Sequence, residues 1–277
     1  MIGVSEVRKN IPAIREAPPQ LFDSFPETTH HELIHGDALN ADILQADSID
    51  LIVTSPPYNV GMEYEDTDDT IDYASYLDFS RAWLENCYTW AKPGGRLCVN
   101  VSLDKNKQGK APLSADVTTV AMRVGWQYHA TIMWNEGNIS RRTAWGSWKS
   151  ASAPHVIAAV ETVIVLYKDF WRRGKAGTST ISGDNFKEWV RGVWDFPGES
   201  ATRIGHEAPF PRELPKRCIQ LFSFREDTVL DPFNGSGTTM IEAIEHGRTA
   251  IGMDLSRPYC ELAQKRILKE CGVELLV

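Results

Sequence analysis

The segment Thr228–His246 limits the possible folds more than any other part of this sequence. A β-rich run, Thr228–Leu230, leads through Gly235-Ser236-Gly237 into a helical pattern that begins at Thr238. Ala250–Met253, which begins 13 residues beyond Gly237, forms a second β-rich run. A strand, a turn, a helix and a second strand in this order predict a βαβ unit with parallel strands.

The same alternation of β-rich runs and helical patterns extends through most of the chain. Several of the runs are almost continuously apolar, which is typical of strands covered on both faces. The aromatic-rich segment Tyr73–Trp90 has helical periodicity, and Pro93-Gly94-Gly95 is expected to stop that helix. We therefore expect an α/β fold with a largely parallel, seven-stranded sheet and helices on both faces. The expected strands are Glu32–His35, Ile49–Thr54, Arg96–Val101, Tyr128–Trp134, Thr162–Tyr167, Thr228–Leu230 and Ala250–Met253, and the further helices are Asp116–Val124, Arg212–Phe222, Thr238–His246 and Pro258–Cys271.

Composition and cysteine usage argue against several classes of protein. No run approaches the roughly 18 apolar residues of a membrane span, and the N-terminal segment lacks the apolar core of a signal peptide. The five cysteines form no C-x-x-C pair, so neither a disulfide framework nor a zinc site is expected. A metal role for His31 and His35 is not expected either. We therefore expect a globular, cytoplasmic protein without a bound metal.

Charge is divided unevenly along the chain. The whole sequence carries −8, but residues 137–217 carry +5 while residues 1–136 carry −10. Most of the basic middle part falls in two long segments outside the strand–helix alternation, about 135–156 and 168–206, and loops of that length are usually functional. This division suits a protein that meets a polyanion on one face, and a merely solvated basic surface is the alternative.

The strand Ile49–Thr54 leads directly into Ser55-Pro56-Pro57-Tyr58. The two prolines fix the backbone and remove two N–H donors, so carbonyl oxygens there remain as acceptors beside the Ser55 hydroxyl. Such a corner could accept both hydrogens of an exocyclic –NH2 group while the aromatic ring stacks on the same planar molecule. The alternative is a strand-ending proline turn with a buried tyrosine.

The loop Asp231–Thr239 combines a glycine turn with a helix start. Glycines allow close approach to the backbone, and the free N–H groups of a helix start attract an anion. Asp254, at the end of the following strand, is placed to hold ribose hydroxyls. The third glycine of the dinucleotide fingerprint and the P-loop lysine are both absent, which leaves S-adenosylmethionine as the best-fitting ligand.

Together these motifs resemble the DNA amino-methyltransferases of restriction-modification systems. T-S-P-P-Y-N (Thr54–Asn59) is similar to the family's catalytic motif, D-P-F-N-G-S-G-T-T (Asp231–Thr239) to its cofactor loop, and I-G-M-D (Ile251–Asp254) to its ribose-binding strand end. His35–Ala38 resembles the segment beside the cofactor adenine. His206–Leu214 resembles the stretch ahead of the cofactor loop, from which it departs at Glu207 and Phe210. The catalytic motif precedes the cofactor loop, an order that marks the circularly permuted β class with its Rossmann-like sheet.

The resemblance implies a cofactor site and a catalytic corner in this chain. Phe233 is expected against the adenine, Asp254 on the ribose, and Gly235–Gly237 near the methionine end. The catalytic corner consists of Ser55, Pro56, Pro57 and Tyr58. The cofactor contacts implied are Asp37, Ala38, Phe210, Asp231, Phe233, Asn234, Gly235, Ser236, Gly237, Thr238, Asp254 and Leu255.

The resemblance also implies the substrate and the reaction. Ser55 and the Pro56 carbonyl would accept the amine protons, so that direct transfer to a flipped-out base follows. Family members with serine at the first motif position act mostly on cytosine N4, and those with Asp or Asn mostly on adenine N6. Cytosine N4 is therefore favoured and adenine N6 remains the alternative. Attack through cytosine C5 is rejected, because no cysteine follows a proline here.

Double-stranded DNA is the expected partner, and the two long segments are the expected target-recognition segments. The resemblance leaves open a homodimer and a cognate restriction endonuclease. Residues 1–27, rich in proline and charge, are expected to form an N-terminal arm before the methyltransferase domain, residues 28–277. The leading candidates for DNA contact are Arg141, Arg142, Lys149, Arg172, Arg173 and Lys175, and Trp145 and Trp148 lie among them.

Two functions of other classes remain as alternatives. One is a DNA-binding module with a decayed cofactor site, against which the intact Ser55, Gly235, Gly237 and Asp254 argue. The other is a methyltransferase acting on RNA or on a protein glutamine through a similar Pro-Pro-Tyr corner. The basic middle segment and the order of the motifs favour DNA.

Overall fold

The computed structural model describes residues 30–57, 63–64, 67–68, 72–105, 110–137, 146–156, 158, 160–174, 177–199 and 211–275. The ranges 63–64 and 67–68 are described by their backbone only. The predicted arm, residues 1–27, lies outside the described residues. So do the predicted site residues Tyr58, Arg141, Arg142, Lys175 and Phe210.

The described chain alternates strands and helices, as the sequence predicts. The strands are β1 Glu32–His35, β2 Ile49–Thr54, β3 Glu63–Tyr64, β4 Thr67–Asp68, β5 Ala91–Ser102, β6 Gln127–Asn135, β7 Glu161–Tyr167, β8 Val193–Asp195, β9 Thr228–Asp231 and β10 Thr249–Asp254. The helices are α1 Tyr73–Trp90, α2 Leu113–Val124, α3 Gly183–Trp189, α4 Glu213–Phe222, α5 Thr238–Glu245 and α6 Arg257–Cys271. None of these helices is long and apolar enough to cross a membrane.

Eight strands form one sheet in the order β1-β10-β9-β2-β5-β7-β6-β8, and β3 pairs with β4 separately. Strands β1, β10, β9, β2 and β5 are mutually parallel, whereas β7 runs antiparallel to both β5 and β6. All seven expected strands are present, and the predicted α/β class with a mostly parallel sheet is confirmed. The short edge strand β8 is the addition, and it pairs parallel to β6.

The two faces of the sheet are covered by different helices, which the alternation of side chains along β2 makes possible. Leu51 and Val53 pack in one cluster with the apolar faces of α4, α5 and α6. Ile52, pointing to the other face, packs in a second cluster with α1 and α2, including Trp83 and Trp90. Because both faces are covered, β2 is buried along its whole length and reads as a continuous apolar run.

Strand β5 begins earlier than expected, and Pro93-Gly94-Gly95 lies inside it. Ile49 pairs with Ala91, but Leu51 pairs with Arg96, so extra residues of β5 are accommodated opposite β2. Gly94 has φ +77°, a left-handed conformation that an L side chain rarely adopts. The Pro-Gly-Gly motif therefore forms an irregularity in the strand, while α1 already ends at Trp90.

Part of the segment 168–206 belongs to the sheet and its core. Helix α3 and strand β8 lie within it, and neither was expected from the sequence. Trp189 and Trp194 are buried, and the Arg217 guanidinium lies 5.2 and 5.4 Å from their ring centroids. A helix of seven residues and a strand of three are too short to show a hydrophobic period, so no sequence pattern predicts them.

Arg173, predicted as a DNA contact, is instead held by two carboxylates. Its Nη2 lies 2.7 Å from Asp50 Oδ1 and its Nη1 lies 2.5 Å from Asp227 Oδ2. Asp50 is near the start of β2 and Asp227 precedes β9, so this ion pair joins the amino ends of two parallel strands. Lys92 also contacts Asp50, at 2.6 Å. The geometry gives Arg173 a structural role, and its predicted contact with a DNA phosphate stays a prediction.

Replacing Arg173 with methionine should destabilise the fold by about 3 kcal/mol, because Asp50 and Asp227 would be left as largely buried carboxylates that have lost their shared partner. Their side chains are 7% and 12% exposed. Urea denaturation measures the loss. The neighbouring Arg172 is exposed, so Arg172→Met should change stability by less than about 0.5 kcal/mol. An Arg173→Met variant as stable as the wild type would contradict the structural role of Arg173.

Candidate active site

Four parallel strands end side by side at one edge of the sheet, in the order β1, β10, β9 and β2. His35 of β1 is in register with Asp254 of β10, and Gly252 of β10 is in register with Asp231 of β9. Ligands in open parallel sheets bind at the carboxyl ends of the strands. The predicted adenine segment, ribose residue, cofactor loop and catalytic corner all follow these four ends, so the fold brings them together.

The loop between β9 and α5 is fixed by its own backbone. The Asn234 N–H donates to the Met253 carbonyl at 2.8 Å, and the Gly237 N–H donates to the Asn234 carbonyl at 2.9 Å. Gly235 and Gly237 have φ of +49° and +82°, which explains the need for glycine at both positions. Among the described residues no side chain caps the N-terminus of α5, so its first N–H groups can receive a carboxylate.

The carboxylate of Asp254 links this loop to β10. Its Oδ2 accepts a hydrogen bond from the Gly235 N–H at 2.7 Å, and its Oδ1 accepts one from the Ser256 N–H at 2.9 Å. Each carboxylate oxygen has two acceptor sites, so this half-exposed group can also accept from ribose hydroxyls. The exposed Leu255 follows, and its carbonyl lies 3.0 Å from His35 Nε2.

An aromatic surface lies beside the loop. Phe233 is half-buried and meets Trp83 edge-to-face, with ring centroids 5.5 Å apart. The segment after β1 is also held in place: the buried Ala38 accepts a hydrogen bond at its carbonyl from Asn86. Asp37 is exposed, and its Oδ1 accepts from the Leu39 N–H. A planar ring against Phe233, hydroxyls at Asp254 and a carboxylate at the start of α5 are what S-adenosylmethionine would require, so these residues fit that cofactor.

The side chains of Asn234 and Ser236 have contacts within the protein, and their predicted contacts with the cofactor stay predictions. Asn234 is buried, and a Cβ on Gly252 would lie only 2.5 Å from its Oδ1, so its side chain packs against β10. The carbonyl and hydroxyl of Ser236 accept hydrogen bonds from Arg266 Nη1 at 2.7 and 2.8 Å, and the Thr238 hydroxyl lies 3.2 Å from the same nitrogen. Arg266 of α6 therefore holds the loop through hydrogen bonds to Ser236 and Thr238.

The catalytic corner leaves the sheet at the end of β2. Thr54 and Pro56 are buried, while Ser55 and Pro57 are half-buried. The Thr54 hydroxyl donates to Asp231 Oδ1 at 2.7 Å, which connects the catalytic strand to the cofactor loop. The sequence includes Thr54 in the catalytic motif but indicates no separate role for its hydroxyl. It gives no signal for Arg266.

Asp231 is almost fully buried, and its carboxylate accepts three hydrogen bonds. Thr54 donates to Oδ1 at 2.7 Å, Thr239 to Oδ2 at 2.7 Å, and the Phe233 N–H to Oδ1 at 3.1 Å. Burial raises the pKa of Asp231 to about 6, although these hydrogen bonds act in the opposite direction. Because the carboxylate is enclosed in this way, it supports the loop from inside the fold.

Two of the predicted DNA contacts are described and accessible. Lys149 and Arg172 are exposed, and Lys149 Nζ lies 5.6 Å from the ring centroid of Trp148, itself 64% exposed. This exposed pairing of a cation with an aromatic ring is compatible with a contact to nucleic acid.

The Asp231→Asn variant should reveal the raised pKa of Asp231 as a pH-dependent stability. Folded Asp231 keeps its proton up to about pH 6, whereas an unfolded aspartate loses it near pH 4. The unfolding free energy of the wild type should therefore fall relative to Asp231→Asn by up to about 3 kcal/mol as pH rises from 4 to 6. Denaturation of both proteins across this range measures the difference. A constant difference would contradict the assignment.

The sequence and the fold both match known DNA methyltransferases. The chain is 57% identical over 172 residues to Type II methyltransferase M.MjaVI of Methanocaldococcus jannaschii, covering 62% of this chain and 88% of that protein. TTHA0409 of Thermus thermophilus, solved with S-adenosyl-L-methionine bound, aligns with a TM-score of 0.71 at 28% identity, over 90% of this chain and 99% of that chain. The PvuII DNA methyltransferase (cytosine-N4-specific) has the same fold, with a TM-score of 0.68 at 20% identity over 89% and 90% of the two chains.

The N6/N4 methyltransferase family model, described as DNA methylase, matches residues 49–265, most of the chain. The match includes the catalytic corner, the cofactor loop and Asp254, which confirms the resemblance found in the sequence. S-adenosylmethionine is the cofactor, in agreement with the donor and acceptor groups at the strand ends. The chain therefore belongs to the N6/N4 family of S-adenosylmethionine-dependent DNA amino-methyltransferases.

Proposed function

We propose that this enzyme methylates the exocyclic N4 of a flipped-out cytosine in duplex DNA. The observation that carries the proposal is Ser55, a serine at the first position of the catalytic motif, placed at the end of β2 beside the cofactor loop. A serine hydroxyl carries no charge, and its oxygen can accept one hydrogen bond from the amine. The alternative target is adenine N6, which family members with Asp or Asn at this position mostly methylate.

The corner acts by positioning the amine and by accepting hydrogen bonds from it. Bound S-adenosylmethionine supplies the methyl group on its positively charged sulfur. Ser55 and the Pro56 carbonyl accept hydrogen bonds from the amine and orient it, so that its lone pair is directed towards the methyl carbon, and the methylated amine then releases one proton to solvent. Pro57 restricts the backbone of the buried Pro56 to extended conformations, which limits the orientation of this carbonyl. In this proposal Tyr58 stacks on the extruded base. The stacking contributes about 1–3 kcal/mol, which offsets part of the cost of extruding the base.

The basic segment supplies the DNA contacts in this proposal. Lys149 and Arg172 support it, since both are exposed. Arg141, Arg142 and Lys175 are further candidates. The same proposal includes a cytoplasmic location and a homodimeric form. It also places the enzyme in a restriction-modification system with a cognate endonuclease. Family membership favours DNA as the acceptor over RNA or a protein glutamine.

Analysis of the product tests the target base directly. Duplex DNA of mixed sequence is incubated with the enzyme and radiolabelled or heavy-methyl S-adenosylmethionine, digested to nucleosides and analysed by mass spectrometry. We expect labelled N4-methylcytosine. Labelled N6-methyladenine would overturn the cytosine assignment, and label that is found on RNA or protein but not on DNA would overturn the proposal as a whole.

The Ser55→Ala variant should lose about 100-fold or more in kcat, because one of the two acceptors for the amine hydrogens is gone. Its Kd for S-adenosylmethionine, measured by calorimetry, should stay close to that of the wild type, since Ser55 faces the base. Ser102→Ala is the matched control, because Ser102 ends the neighbouring strand β5 and should keep wild-type kcat. Parallel losses of cofactor affinity and rate in Ser55→Ala would make Ser55 a structural residue.

A further inference from the structure

A single buried carboxylate connects the catalytic strand with the helix of the cofactor loop. Thr54, the last residue of β2, donates to one oxygen of Asp231, and Thr239, in the first turn of α5, donates to the other. Both distances are 2.7 Å, and all three side chains are about 1% exposed. Since water is excluded, these hydrogen bonds are not exchanged for contacts with solvent.

The Thr54–Asp231 hydrogen bond lies where the backbone pairing between the two strands has ended. Strands β2 and β9 pair at Leu51–Val229 and at Ile52–Leu230. Beyond that point Thr54 pairs only with Val99 of β5, on the other side of β2, among the described strand pairs. The side-chain bond therefore extends the connection between β2 and β9 to the residue that immediately precedes Ser55.

We propose that Thr54 is a positioning residue, whose hydroxyl bond to Asp231 sets the distance between Ser55 and the cofactor loop. This inference rests on the proposed role of Ser55. Direct displacement requires the two reacting atoms to lie within about 3–3.5 Å and in line, and a displacement of about 1 Å can lower the rate about 100-fold. A tether one residue from the catalytic hydroxyl controls that distance more closely than the backbone pairing further down the strand.

The test compares Thr54→Val with Thr239→Val. Each removes one hydroxyl hydrogen bond from the same carboxylate, so each perturbs the charge of Asp231 similarly, but only the first releases the catalytic strand. We expect Thr54→Val to lower kcat at least tenfold, with the Kd for S-adenosylmethionine within about threefold of the wild type. Thr239→Val should mainly raise that Kd, with a smaller loss of kcat at saturating cofactor. Thr54→Ser retains the hydroxyl and should restore kcat to within about threefold.

Equal losses of kcat in the two valine variants would overturn the proposal, because the charge of Asp231 would then be responsible. The pH profile gives a second criterion: a deficit in Thr54→Val that disappears above about pH 8 would also show an effect of ionisation. Circular dichroism and thermal melting establish that each variant is folded. If Thr54→Val does not fold, Thr54→Ala compared with Thr54→Ser replaces it.

The outcome is separable from that of the proposed function. A wild-type enzyme that does not methylate DNA contradicts the proposed function. A wild-type enzyme that methylates DNA, together with a Thr54→Val variant of wild-type kcat, contradicts only the positioning role of Thr54.

Discussion

The buried carboxylate of Asp231 accepts hydrogen bonds from three separate elements of the structure. They are the end of the catalytic strand at Thr54, the start of α5 at Thr239, and the loop backbone at Phe233. Burial raises its pKa to about 6, so ionising it at neutral pH costs stability. The same hydrogen bonds fix the position of the end of β2 relative to the cofactor loop.

The two ends of the parallel strands have different functions. Ser55, Asp254 and the loop before α5 lie at the carboxyl ends. At the amino ends, Arg173 joins Asp50 and Asp227 and thereby fixes the starts of β2 and β9. The same two strands are thus held by an ion pair at one end and by the Thr54–Asp231 hydrogen bond at the other. Between these points β2 is fully buried, so the strand that leads to Ser55 has little room to move.

Much of the fold could be predicted because its signals are local. The apolar run Ile49–Thr54 and the glycine turn Gly235–Gly237 specify their own conformations, and both are where the sequence indicates. Strand β8 and helix α3 could not be found, since they are short and depend on Trp189 and Trp194 packing around Arg217. The sequence predicts that β5 starts at Arg96, but the strand starts at Ala91. Pro93-Gly94-Gly95 ends helices in most contexts, whereas here it forms an irregularity within the strand.

The residue types at the site could be predicted from local patterns alone: a proline-fixed corner with a hydroxyl, a glycine loop at a helix start, and an acidic strand end. These depend on residue types within a few positions of each other, and their physical properties do not require a partner elsewhere. The residues that support these groups become visible only in the folded protein. Thr54 and Asp231 are 177 positions apart, and Arg173 meets its carboxylates across 123 and 54 positions. Such contacts form only when strands distant in sequence become neighbours in the sheet, so no local pattern records them.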